Sequence, residues 1–131
     1  MTRQTIATDS APAAIGTYSQ AVLIDATAYL SGQIALDPKT MELVNDSFDA
    51  EVRQVIRNLS AVLEATGASS GDIAKITVYL TDLGNFDAVN AAMNEWLSEP
   101  YPARAAVGVS ALPKGARVEM DAVAVVPDAG A

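Results

Sequence analysis

Between Phe48 and Leu63 the apolar side chains Phe48, Val52, Val55, Ile56, Leu59, Val62 and Leu63 fall at offsets 0, 4, 7, 8, 11, 14 and 15, which is one face of an α-helix. A helix with one apolar face must cover something, and the preceding sequence is cut into pieces too short to be helices. Gln4 to Ala7, Ala21 to Ile24 and Ala28 to Ile34 read as strands. Asp25-Ala26-Thr27 is hairpin-sized, and Asp37-Pro38-Lys39-Thr40 marks a turn. Asn45-Asp46-Ser47 offers caps ahead of the helix and Gly67 stops it, with Glu51, Arg53, Gln54, Arg57 and Glu64 expected on its outward side.

Ile73 to Leu80 alternates with β-forming Thr77 and Tyr79 and predicts a strand. A second helix is expected from Phe86, Val89, Met93, Trp96 and Leu97, ended by Pro100 and Pro102, with Asn90 set inside its apolar stripe. Arg104 to Val109 and Arg117 to Val125 predict two last strands about the turn residues Pro113-Lys114-Gly115. The order is βββαβαββ, an α+β arrangement in which two helices cover one face of a mixed sheet. Both faces of the last strands are apolar, so the face without helices is expected to be covered by other subunits.

The chain of 131 residues has room for one domain, 1–131, with a flexible tail over about 127–131. It contains neither cysteine nor histidine, which removes disulfides, thiol nucleophiles, zinc-finger ligation and every Ser-His or Cys-His dyad. Acid–base work falls to the carboxylates, lysines and tyrosines, and any carboxylate-gripping fork to the arginines. A net charge of −8 with scattered basic residues argues against nucleic acid and anionic membranes as partners. Met1 to Pro12 lacks the apolar core of a signal peptide, and no apolar stretch approaches the roughly 18 residues of a membrane span, so a cytoplasmic protein is expected.

Arg104, between Pro102-Ala103 and Ala105-Ala106-Val107, offers a guanidinium fork at the mouth of a small-residue strand, suited to a carboxylate or to an ordinary salt bridge. Glu119 lies in an apolar run with Asp121 on the same strand face, and is either a base with a raised pKa or the partner of a basic residue. A simple hairpin about Pro113–Gly115 would pair Arg104 with a residue near Val123, past Glu119. Either the two strands are not hairpin neighbours, or the two charges meet by another route such as a site shared between subunits. Gly16-Thr17-Tyr18-Ser19 and Ser31-Gly32-Gln33 bear hydroxyl and amide groups but form no phosphate loop, and serve turn chemistry as readily as a ligand. Asn90 satisfies a buried backbone group or contacts a ligand.

These pieces assemble into a resemblance. Ala11-Pro12-Ala13-Ala14-Ile15-Gly16-Thr17-Tyr18-Ser19-Gln20, Leu30-Ser31-Gly32-Gln33-Ile34, and above all Pro102-Ala103-Arg104-Ala105-Ala106-Val107 continued through Ala111-Leu112-Pro113 to Val118-Glu119-Met120 resemble the RidA/YjgF (reactive intermediate deaminase) family from Thr5 to Val126. The resemblance implies a chorismate-mutase-like protomer and a homotrimer with a cleft at each interface. It implies that Arg104 holds the carboxylate of a 2-imino or 2-enamino acid with help from the backbone at Ala106, and that Glu119 positions water. Tyr18, Ser31, Gly32 and Asn90 match pocket positions, and neither cofactor nor metal is required. The chain departs from many relatives at Thr17, where they carry proline, at Ala106, where several carry cysteine, and in a shorter Ser98–Tyr101 stretch. The alternatives are a non-catalytic sensor of small carboxylates, or a deaminase of the same family with another substrate; ribonuclease activity, reported for some relatives, is disfavoured by the charge and the missing histidine.

Overall fold

The computed structural model describes residues 1–127, so from 128 onward the expected tail lies outside the described residues. The elements are β1 (Arg3–Ile6), β2 (Ala21–Ile24), β3 (Thr27–Gln33), α1 (Phe48–Ala65), β4 (Ile73–Leu80), α2 (Phe86–Trp96), β5 (Ala103–Gly108) and β6 (Val118–Val125), with three short 3-10 turns between them. One sheet runs in the order β1-β2-β3-β6-β4-β5. Only β4 and β5 run parallel, because α2 carries the chain back between them; every other pairing is antiparallel.

The last two strands are therefore not hairpin neighbours. β6 enters the middle of the sheet between β3 and β4, and β5 is left at the edge. Central position explains the apolar core face of β6: Val118, Met120, Ala122 and Ala124 are buried against α1, and Ile76, Val78 and Leu80 of neighbouring β4 are buried beside them, while Glu119 and Asp121 lie on the other face. The opposite sheet face carries no helix among the described residues, and Tyr29, Val107 and Val125 are exposed on it.

Helix α1 is seated as its periodicity demands, with Val52, Val55, Leu59 and Val62 fully buried and Ser47 Oγ accepting from Ala50 N at 3.0 Å. Two side chains expected on its outward side are instead buried: Glu51 is fully enclosed and Gln54 nearly so. The reason is a polar row at i, i+3 and i+7, Glu51-Gln54-Asn58, which flanks the apolar stripe and finds partners under it. Asn58 Nδ2 donates to the carbonyls of Ile34 (3.1 Å) and Leu36 (2.8 Å), and Gln54 Nε2 donates to Asn58 Oδ1 (2.9 Å). Glu51 accepts from Arg117 N and Arg117 Nε, both at 2.7 Å. These bonds are what make the burial tolerable, since polar groups taken out of water there without partners would have nothing to offset desolvation.

Candidate active site

Arg104 pairs in register with Ile76, a core residue, so its side chain leaves β5 toward the helix layer at the sheet's open edge. There α2 holds it. Arg104 Nη1 donates to Asn90 Oδ1 at 2.8 Å, and the guanidinium carbon lies 4.8 Å from the centre of the Phe86 ring. The polar interruption of the second apolar stripe thus neither satisfies backbone nor stands free: Phe86 and Asn90, four residues apart on one helix face, fix the arginine's direction. Its remaining N–H groups border a cleft of about 360 Å³ lined by Met93, Asn94, Leu97, Tyr101 and Pro102.

The strand beneath adds donors. Val109 N donates to Leu80 O at 2.8 Å, so by the two-residue alternation of a strand the amides of Val107 and Ala105 also turn toward β4, while those of Arg104, Ala106 and Gly108 turn to the free edge. A guanidinium fork beside an unengaged backbone N–H is a carboxylate cradle.

Glu119 occupies different ground. It pairs with Tyr79, whose neighbours Val78 and Leu80 face the core, so Glu119 projects from the face opposite the helices. It lines a second cleft, about 460 Å³, together with Tyr18, Ser31, Gly32, Lys114 and an apolar group of Ile15, Ile34, Leu36 and Met41. A bulge in β3 builds this cleft: Leu30 pairs with Ala122 but Gln33 with Met120, so Ser31 and Gly32 together oppose one residue of β6. The Glu119 carboxyl lies directly over Gly32, where a Cβ would come within 2.9 Å of its Cδ. Glycine here permits that close approach and does not serve turn geometry.

Ser31 Oγ donates to Ser19 O at 2.6 Å, leaving its lone pairs toward the cleft. Buried Gln20 secures the adjoining loop, accepting from Thr8 N (2.6 Å) and donating to Thr8 O (3.0 Å) and Pro12 O (2.8 Å). Glu119 makes no ion pair among the described residues, which leaves the salt-bridge reading without a partner. Burial, and then the charge of Asp121, push its carboxyl above the usual carboxylate range. Asp121 is otherwise engaged, accepting from Tyr79 Oη at 2.9 Å.

Of the residues singled out in the sequence, the structure brings Tyr18, Ser31, Gly32 and Glu119 together in one cleft and Arg104, Asn90 and the Ala106 amide together at the other. It does not bring the two groups together within one chain, because they lie on opposite sides of the sheet. Sequence reasoning missed four contributors. Lys114 lines the Glu119 cleft from a left-handed backbone (φ 59, ψ 21). Met41, also left-handed (φ 61), lines the same cleft. Glu51 and Arg117 pin the start of β6 two residues ahead of Glu119. The available signals were a turn that puts lysine before glycine, and a carboxylate bordering an apolar helix stripe.

The profile of the family described as Endoribonuclease L-PSP matches residues 8–126 of the chain. Protein DfrA of Myxococcus xanthus is 50% identical over 95% of this chain and 97% of its own length. The human 2-iminobutanoate/2-iminopropanoate deaminase is 45% identical over 94% of this chain and 90% of its own. The crystal structure of RidA from the Antarctic bacterium Psychrobacter sp. superposes with a TM-score of 0.90 at 52% identity, covering 94% of this chain and 99% of that one.

Proposed function

Because the chain belongs to the Endoribonuclease L-PSP (RidA/YjgF) family, whose α+β fold it has, we propose that it hydrolyses reactive 2-imino and 2-enamino acids to 2-keto acids and ammonia, as a cytoplasmic homotrimer with its sites between subunits. The observation that carries this reading is the carboxylate cradle: a guanidinium steered by Asn90 and Phe86, beside the outward amide of Ala106. The geometry of the single chain supports a composite site. A substrate of a few atoms cannot touch Arg104 and Glu119 of one chain across the sheet, whereas the uncovered sheet face lets a neighbouring subunit's Glu119 cleft close over this chain's exposed edge.

In this site an enamine first takes a proton at its terminal carbon to give the imine, and Arg104 with the Ala106 N–H grips the carboxylate. Water attacks the imine carbon as Glu119 of the adjoining subunit accepts its proton; the resulting carbinolamine, protonated on nitrogen, expels ammonia and leaves the 2-keto acid. The raised pKa of Glu119 makes it a stronger base when ionised, and Ser31 and Tyr18 orient water and nitrogen. Imines hydrolyse in water unaided, so orientation and one base suffice. RNA cleavage, which the family description names, is poorly served by a chain with net charge −8 and no histidine.

The test is ammonia release from imines generated in situ by an amino-acid oxidase. Wild-type protein is expected to accelerate release and Arg104→Ala to abolish the acceleration, with Arg104→Lys only partly active for want of a bidentate fork. Binding of 2-keto acids with no acceleration by wild type would make the protein a carboxylate sensor. Light scattering should give about three times the 13.6 kDa protomer mass.

A further inference from the structure

Resting on the deaminase reading, we propose that Met41 is a specificity-determining residue, gripping the apolar side chains of imino acids with substituents longer than ethyl. Met41 has φ 61, a conformation that costs an L-residue about 1 kcal/mol and that glycine would adopt freely. Nothing in the turn itself calls for a methionine. Asp37 Oδ1 accepts from Lys39 N (2.8 Å) and Thr40 N (3.2 Å), Met41 N donates to Asp37 O (2.8 Å), and Asp37 N donates to Glu42 O (2.9 Å). The backbone and the Asp37 side chain close the loop without the Met41 side chain.

The loop is also fixed from inside. Buried Asn58 of α1 holds the carbonyls of Ile34 and Leu36, and Leu36 bridges Leu43 across the turn. The strained residue is therefore held in place rather than mobile, and its side chain joins Ile15, Ile34 and Leu36 as the apolar wall facing Glu119 and Ser31. With Met41 in place the cleft still measures about 460 Å³, far more than a methyl or ethyl substituent fills. An unbranched thioether adapts to side chains of varied shape, and each additional buried methylene is worth about tenfold or more in discrimination.

The experiment compares kcat/KM for the imines made in situ from leucine and from alanine, a ratio that does not depend on the fraction of protein folded. Wild type is expected to favour the leucine-derived imine by about tenfold or more, Met41→Gly to lose that preference, and Met41→Leu to keep it. A ratio for Met41→Gly within twofold of wild type overturns the proposal. Calorimetric binding of 4-methyl-2-oxopentanoate against pyruvate runs in parallel. If neither imine yields ammonia above the uncatalysed rate, the deaminase reading fails, and the binding ratio of wild type against Met41→Gly still decides the role of Met41.

Discussion

Arg104 and Glu119 leave the same sheet in opposite directions: Arg104 pairs with buried Ile76 and faces α2, while Glu119 pairs with Tyr79 and faces away from both helices. Strand β4 stands between their strands. The guanidinium and the carboxylate are thus held on opposite sides of one protomer, and under the proposed function each is completed by a second subunit.

Asn90 acts through Arg104. Asn90→Ala removes the acceptor at 2.8 Å and frees the guanidinium to swing, at a cost of about 1 kcal/mol for an exposed charge-assisted bond. KM is expected to rise about fivefold with kcat changed less, and melting temperature to stay near wild type. Steady-state kinetics would contradict this assignment if kcat fell and KM did not move.

Gly32→Ala places a methyl group where the Glu119 carboxyl now lies. The carboxyl is the free end of a flexible side chain, so the fold yields at about 1 kcal/mol or less, but the base is moved by an ångström or more. Turnover is expected to fall about a hundredfold with binding of 2-keto acids retained. Full activity in Gly32→Ala would remove Glu119 from the mechanism.

The pH dependence of stability separates a desolvated base from a paired one. Glu119 is raised by burial and by Asp121, so the folded protein keeps its proton at pH values where the unfolded chain has lost it. Stability from this group is fully present below the unfolded pKa and declines as pH rises through the folded one. Glu119→Gln should therefore melt higher than wild type at pH 7, and the difference should close toward pH 4. A paired carboxylate would give the reverse, with Glu119→Gln destabilised at neutral pH.

Glu51 and Arg117 form an asymmetric pair, the carboxylate fully buried and the guanidinium partly exposed over Phe48. Arg117→Ala leaves a buried charge held by one backbone N–H and is expected to cost about 3–5 kcal/mol. Glu51→Gln keeps an acceptor for Arg117 N and should cost about 1–2 kcal/mol. Urea unfolding that ranked the two costs in the other order would contradict this account of the start of β6.

Local signals were legible in the sequence where local physics decides. The period of α1, the alternation of β4 and the Asp37 turn all stand within a residue or two of their expected bounds. The insertion of β6 between β3 and β4 was not, because strand pairing is set by the whole sheet and not by the Pro113–Gly115 turn that precedes β6. Glu51 and Gln54 were misplaced for a related reason: a helical wheel puts them at the border of the stripe, and only the positions of Arg117 and of the 34–36 carbonyls decide which way the border turns. Asn90 stood out as a polar residue in an apolar row, yet its partner lies on another element. Met41 gave no signal because backbone sign at a non-glycine residue is not written in its side chain, and Lys114 gave only its place before a turn glycine.

The most direct test of the account is complementation between the two halves. Arg104→Ala and Glu119→Gln chains, each inactive or nearly so alone, are co-expressed with different tags and purified as mixed oligomers. If the site joins Arg104 of one subunit to Glu119 of another, each mixed trimer has one intact interface in three, and ammonia release should recover to about a third of wild type. Mixed oligomers no more active than the Arg104→Ala protein alone would contradict a site shared between subunits.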